Sequence, residues 1–101
     1  MITLTSKHRA FLRAQANGLE TILDVGKEGV GENLIKQAND ALTARELIKG
    51  RTLENAPLSA KEAAQELAQA TGAQSVQIIG RRFVLYRANP KLPKDNRIKL
   101  P

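Results

Sequence analysis

Helical and strand-like hydrophobic patterns alternate along this 101-residue chain, and the alternation ends in two strand patterns in succession. Apolar residues recur with the period of an amphipathic helix in segments that begin near Thr5, Glu32 and Ser59. Runs rich in β-branched and apolar residues lie between and after them, in "LETILDV", "RELIKGRTLE", "SVQIIG" and "FVLYR". The resulting order, α-β-α-β-α-β-β, predicts a two-layer α/β domain with a mixed four-stranded sheet.

Local signals for helix ends and turns support this order. The segment Ser59-Ala60-Lys61-Glu62 has the spacing of a capping box, and Gly72 is placed to end the same helix. The segment Gly80-Arg81-Arg82 predicts a tight hairpin between the last two strands. Gly50 interrupts the second strand pattern and indicates a bulge or the close approach of another group.

The positive charge is concentrated at the C-terminal end. The net charge is +6, and Lys plus Arg balance Asp plus Glu over residues 1–80. Residues 81–101 contain seven basic residues and one acidic residue, which accounts for the whole excess. Positive charge concentrated in the C-terminal region suggests a polyanionic partner, a nucleic acid or an anionic membrane, although a solubilising tail explains it equally well. We expect one domain over residues 1–88 and a basic, Pro-containing extended tail over 89–101, with Ile98 and Leu100 as possible docking points.

Several function classes find no support in the composition. The chain has no cysteine and one histidine, His8, and it lacks a paired-carboxylate arrangement. We therefore expect no catalytic residues, no metal site and no cofactor. No apolar run reaches membrane-spanning length, and the N-terminus lacks the apolar core of a secretory signal. We expect a cytoplasmic protein that is not associated with a membrane.

A glycine-rich corner lies between the first strand pattern and the second helix pattern, in "DVGKEGVGENLIKQ". Helix N-termini expose unpaired amides, and glycines let a backbone approach a phosphate closely. The corner has neither GxxxxGK[ST] nor GxGxxG. What remains is a short GxxG, Gly26 to Gly29, the motif with which KH domains clamp a nucleic-acid backbone. The simpler alternative is a glycine turn with Gly31 as the N-cap, and Glu28 adds a negative charge that disfavours phosphate.

The C-terminal third resembles a known family. The segment "TGAQSVQIIGRRFVLYR" is similar to the end of the CRM domain, the chloroplast RNA splicing and ribosome maturation domain, whose stand-alone bacterial form is the YhbY-like family. "LTSKHRAFLRAQA", "VGKEGV" and "ALTARELIKG" resemble earlier parts of the same domain. The resemblance implies a fold akin to the C-terminal domain of bacterial translation initiation factor three. It also implies RNA binding through the GxxG corner and association with precursors of the large ribosomal subunit.

The expected RNA-binding residues combine the glycine corner with basic residues elsewhere. They are Gly26, Lys27, Glu28 and Gly29 in the corner, Lys7, Arg9 and Arg13 in the first helix, and Arg81, Arg82, Arg87, Lys91 and Lys94 in the C-terminal part. We assign Phe83 to the core, whereas Tyr86 could either stack on bases or pack in the fold.

Three functions remain as hypotheses. The first is a non-enzymatic, monomeric RNA-binding protein that acts in ribosome assembly on large-subunit (pre-50S) ribosomal RNA. The second is a small protein-binding adaptor with a basic tail. The third is binding of a phosphate or nucleotide at the glycine corner.

Overall fold

The computed structural model describes residues 3–101. Its three α-helices are α1 (Ser6–Ala16), α2 (Glu32–Arg45) and α3 (Ala60–Thr71). The four strands are β1 (Thr21–Val25), β2 (Leu47–Thr52), β3 (Gln74–Ile79) and β4 (Arg82–Tyr86), and a short 3-10 helix spans Lys94–Asn96. The predicted order of elements is therefore confirmed.

The helices begin and end where the sequence signals place them. The Ser59 hydroxyl accepts a hydrogen bond from the Glu62 amide at 3.1 Å, and the Glu62 carboxylate accepts one from the Ser59 amide at 3.0 Å. Hydrogen bonding to the carboxylate, first from the Ser59 backbone amide and then from the Ser59 side chain, lowers the pKa of Glu62. Gly72 ends α3 in the left-handed conformation, with φ of 76°. At α1, Thr5 is the N-cap and the imidazole of His8 completes the reciprocal pair.

The sheet is mixed, with strand order β1-β2-β4-β3. β1 and β2 are parallel, and β4 pairs antiparallel with both β2 and β3. Because α2 connects the two parallel strands and a two-residue turn connects β3 to β4, the topology follows from the order of the elements. The predicted fold class, an α/β arrangement with a mixed four-stranded sheet, is confirmed.

One face of the sheet carries the larger core. Phe83 and Leu85 of β4 pack there with Leu23 of β1 and with the apolar faces of α2 and α3. Ala63 and Ala64 of α3 are fully buried, and their small side chains allow the helix to lie close to the sheet. Phe83 is 1% exposed, in agreement with its assignment to the core.

The other face carries a second cluster, formed with α1 and the C-terminal segment. Leu12 of α1 packs there with Val84 and Tyr86 of β4, and Ile98 and Leu100 pack against this cluster. Val84 and Tyr86 point away from Phe83 and Leu85 because neighbouring side chains of a strand face opposite sides. Docking through Ile98 and Leu100 agrees with the expectation from the sequence.

Gly50 marks a close approach rather than a break in β2. The strand continues through it, and a Cβ atom at this position would lie 2.6 Å from Cε2 of Phe83. The irregularity in pairing lies in the neighbouring strand, where β1 has one extra residue between Thr21 and Leu23. Glycine is needed at position 50 because the Phe83 ring occupies the space of its side chain.

Candidate nucleic-acid interface

The glycine corner and the hairpin turn lie at the same end of the sheet. Val25, the last residue of β1, pairs with Thr52 at the end of β2, and Arg51 pairs with Arg82 at the start of β4. The Thr52 amide also donates a hydrogen bond to the Arg81 carbonyl at 2.8 Å. Two strand spacings, roughly 10 Å, therefore separate the strand that leads into the glycine corner from the strand that leaves the hairpin.

The GxxG segment forms a tight turn that presents two charged side chains. The Gly29 amide donates a hydrogen bond to the Gly26 carbonyl at 3.0 Å. Lys27 and Glu28, between them, are both exposed. Gly29 has φ of 68°, which glycine adopts without strain, and the ring of Pro57 lies 3.4 Å from where its Cβ would be. The turn is thus held against the loop that follows β2.

The groove beside this turn carries more negative than positive charge. It has a volume of about 740 Å³ and lies between the turn and the start of α2. Asp24, Glu28 and Glu32 line it, and Lys27 is the one basic residue among its lining residues within the described range 3–101. Gly31 is the N-cap of α2, as expected, and it supplies no side-chain hydrogen bond. The helix dipole attracts anions here, but the nearby carboxylates oppose it.

Four basic side chains lie toward this same end of the sheet. We call this group the basic end, and its members are Lys49, Arg51, Arg81 and Arg82. Lys49 and Arg51 lie on β2, on the same face as Arg82, since Arg51 pairs with Arg82. Arg51 makes an ion pair with Asp24 at 2.7 Å, and Arg81 lies 3.7 Å from Glu54. Sequence reasoning missed Lys49 and Arg51, although their alternation around Gly50 indicates a shared face.

The other predicted RNA-binding residues lie elsewhere. Lys7 and Arg13 are exposed on α1, whereas the Arg9 guanidinium donates to the Ser75 carbonyl of β3 at 2.8 Å. Lys91 and Lys94 are exposed and follow β4, at the end of the sheet opposite the hairpin. The structure therefore brings together the glycine corner with Arg81 and Arg82, and separates them from the tail.

Arg87 links the ends of two helices to the sheet. Its guanidinium donates hydrogen bonds to the side-chain and backbone oxygens of Asn39, to the Thr43 hydroxyl at 2.8 Å and to the Thr71 carbonyl at 2.7 Å. Its backbone amide donates to the Glu46 carbonyl at 2.8 Å. With these donors occupied inside the fold, Arg87 is placed to stabilise the domain rather than to meet a phosphate.

Replacing Arg87 with alanine is expected to lower the free energy of unfolding by about 1.5–3 kcal/mol, because several hydrogen bonds to a charged group disappear together. Arg87→Lys should recover little of this loss, since an ammonium cannot reproduce the planar fork. Urea unfolding of both variants measures the effect. An Arg87→Ala protein as stable as the parent but weaker in RNA binding would contradict this structural role.

Tyr86 packs rather than projecting outward. It is 2% exposed and belongs to the second cluster, under the C-terminal segment. Burial raises the pKa of its hydroxyl, the nearby Glu46 carboxylate raises it further, and Arg97 acts in the opposite direction. The ring is thus covered and does not offer a face for base stacking in this conformation.

Residues 3–101 contain neither a membrane-spanning helix nor a cluster of metal ligands. No helix in this range is long and apolar enough to cross a membrane. Within the same range, no group of three or more His, Cys, Asp or Glu residues is placed to hold a metal ion.

Known proteins match this chain over most of its length. The family model of the CRS1/YhbY (CRM) domain matches residues 4–87. Probable RNA-binding protein YqeI of Bacillus subtilis is 43% identical over 99 residues, covering 97% of this chain and 99% of that protein. Probable RNA-binding protein MJ0652 of Methanocaldococcus jannaschii is 40% identical over 86 residues, covering 83% of this chain and 63% of that protein.

A solved structure extends the match to the fold. The solution structure of the hypothetical protein SAV1595 from Staphylococcus aureus superposes with a TM-score of 0.78 at 42% identity, covering 98% of this chain and 100% of the other. Sequence and fold thus agree over nearly the whole chain, and the chain belongs to the CRS1/YhbY (CRM) domain family.

Proposed function

We propose that this chain is an RNA-binding protein without a catalytic role, and that RNA lies across the sheet end formed by the GxxG turn and the basic end. The observation that carries the proposal is that Lys27, Arg81 and Arg82 lie at one end of the sheet. Lys27 is more than fifty residues away from the two arginines in the sequence. The names of the relatives YqeI and MJ0652, both probable RNA-binding proteins, support it.

The chemistry of the surface favours recognition of the RNA backbone. The basic end offers guanidinium and ammonium groups, and the exposed turn adds Lys27. Gly26 and Gly29 would shape this turn and leave its amides accessible, while Glu28 would face away from the phosphates. Phosphate contacts of this kind supply affinity and set the register of the nucleic acid.

We propose that the RNA is large-subunit ribosomal RNA or its precursor particle, that the protein acts as an assembly factor in the cytoplasm, and that it binds as a monomer. Lys91 and Lys94 would then add long-range attraction rather than direct contacts, because they follow β4 at the end of the sheet opposite the hairpin. Lys7 and Arg13 would add positive charge on the exposed face of α1.

Reversing the charge of the hairpin should weaken RNA binding. For the double variant Arg81→Glu/Arg82→Glu, we expect about tenfold lower affinity for single-stranded RNA. The salt dependence should become shallower by about 0.7 log units for each phosphate that the protein no longer neutralises. Fluorescence anisotropy at several salt concentrations measures both quantities.

The matched control for this double variant is Lys36→Glu/Lys61→Glu, which makes the same change in net charge at exposed positions of α2 and α3. If the two double variants lose affinity equally, binding follows net charge and the hairpin has no special part in it. Thermal unfolding of each variant shows that the fold is kept.

The proposed ribosomal partner is tested by sedimentation of a cell lysate through a density gradient at low magnesium. We expect the protein to migrate with large-subunit particles and to lose that position after ribonuclease treatment. A protein that remains at the top of the gradient would contradict the ribosomal role. A complex that resists ribonuclease would instead favour the adaptor hypothesis.

A further inference from the structure

We propose that a cleft between the end of α1 and the β3–β4 hairpin holds one unpaired nucleotide of the bound RNA. The inference rests on the proposed RNA-binding function and adds a site and a preference for single-stranded RNA. The cleft lies on the face of the sheet that carries α1 and opens next to the basic end. It is separate from the acidic groove at the glycine corner, with which it shares no lining residue.

Four elements build the cleft. Asn17 comes from the end of α1, Lys49 from β2, Gln77 and Ile79 from β3, and Arg82 from β4. The cleft has a volume of about 170 Å³, and Val84 also lines it. The pairing of Ile79 with Arg82 and of Gln77 with Val84 places these side chains on one face of the hairpin.

Two side-chain amides in the cleft are available to a ligand. Within residues 3–101, the side chains of Asn17 and Gln77 make no hydrogen bond. An amide side chain carries both a donor and an acceptor, as the edges of nucleobases do. In a paired RNA helix these base edges are occupied or hard to reach, so a site that reads them selects an unpaired nucleotide.

Ile79 supplies an apolar wall. Its side chain is 63% exposed, the most of any large hydrophobic residue in the described part of the chain. Arg82 pairs with Ile79 in the neighbouring strand and is exposed, and its guanidinium group is planar. An aliphatic side chain and a guanidinium plane can together cover the faces of a base, because bases bind to both apolar groups and arginine planes.

Charge separates this cleft from the groove at the glycine corner. Lys49 and Arg82 line the cleft, and none of its lining residues within the described range is acidic. The Lys49 ammonium donates to the Leu19 carbonyl at 3.4 Å, a long contact that leaves further donors for a phosphate. The groove has three carboxylates against one lysine, so a polyanion is attracted to the cleft more strongly than to the groove.

The test compares single-stranded and duplex RNA. The probes are a labelled single-stranded RNA of mixed sequence and a duplex of the same sequence, and the variant is Gln77→Ala/Ile79→Ala. We expect its affinity for the single strand to fall by about tenfold, or about 1.4 kcal/mol, because the variant lacks one amide and the apolar wall of the cleft. Affinity for the duplex should change by less than about twofold, because phosphate contacts remain.

The matched control is Gln65→Ala/Ile78→Ala. Gln65 is exposed on α3, and Ile78 is the neighbour of Ile79 that faces the opposite side of the sheet at 39% exposure. We expect this variant to bind the single strand as the parent does.

In the parent, the side-chain amide resonances of Asn17 and Gln77 should shift on titration with the single strand and not with the duplex.

The outcomes separate this site from the general function. If the parent binds the single strand and the cleft variant binds it equally well, the cleft proposal is overturned and RNA binding stands. If the cleft variant loses affinity for the single strand and for the duplex to the same extent, the preference for an unpaired nucleotide is overturned. If the parent binds neither probe at low salt, the proposed function and the cleft are both wrong.

Discussion

Replacing Glu46 with alanine is expected to lower the free energy of unfolding by about 2–6 kcal/mol, because two part-buried amides lose a charged acceptor at about 1–3 kcal/mol each. Glu46 lies between α2 and β2 and is 1% exposed. Its carboxylate accepts hydrogen bonds from the amides of Asn89 and Ile98, each at 2.6 Å. One side chain thus holds the C-terminal segment at two points nine residues apart.

The same variant should release the C-terminal segment from the second cluster. We expect heteronuclear NOE values at Ile98 and Leu100 to fall to those of a mobile chain, and limited proteolysis to cut within residues 89–101. Alanine keeps the Cβ atom, so the positive φ of 62° at position 46 remains and strain is not relieved. The measured loss of stability therefore reports the carboxylate's hydrogen bonds.

Two further variants test whether the loss of stability comes from the Glu46 carboxylate. Glu46→Gln keeps one acceptor and should show an intermediate loss of stability, whereas Glu66→Ala, at an exposed position of α3, should leave stability almost unchanged. A Glu46→Ala protein with a rigid C-terminal segment and the stability of the parent would show that the apolar contacts alone hold the segment.

Replacing Gly50 with alanine is expected to lower the free energy of unfolding by about 3 kcal/mol, the upper part of the range for overpacking in a core. The new Cβ would lie 2.6 Å from Cε2 of Phe83, closer still to Cζ and 3.1 Å from Cε1. Phe83 is 1% exposed among α2, α3 and the sheet, so its ring has no free direction in which to move. Denaturant unfolding measures the loss.

A double-mutant cycle tests the cause of the Gly50 effect. Phe83→Leu should destabilise the protein by itself, but Gly50→Ala/Phe83→Leu should be more stable than the sum of the single changes predicts, by at least about 1 kcal/mol. Gly18→Ala is the control, because the nearest atom to its Cβ lies at 3.9 Å and φ there is not positive. Strict additivity in the cycle would mean that the ring is not what excludes a side chain at position 50.

Local patterns predicted the elements because each depends on residues close together in the chain. The reciprocal hydrogen bonds of Ser59 and Glu62 span three residues, and the turns at Gly29 and Gly72 need the left-handed conformation that glycine adopts freely. The assignment of Phe83 to the core follows from strand alternation and the apolar faces of the helices. These features required no knowledge of distant contacts.

The interface was predictable only in part. The glycine corner with Arg81 and Arg82 was recognised from motif and charge, and the sheet order places them at one end. Lys49 and Arg51 were missed, because their closeness to Arg82 depends on the pairing of β2 with β4. Arg87 was grouped with them by its charge alone, but its guanidinium is held by Asn39, Thr43 and Thr71.

The order and type of the elements, the capped helix ends and the glycine turns were therefore determined by the sequence through interactions within a few residues. The tertiary structure decided which charges face solvent together, why Tyr86 is covered and why Gly50 must lack a side chain. It also decided that Glu46 holds the C-terminal segment, through amides 43 and 52 residues away. Such pairs meet only after the sheet and helices have packed, and no local pattern encodes their distance.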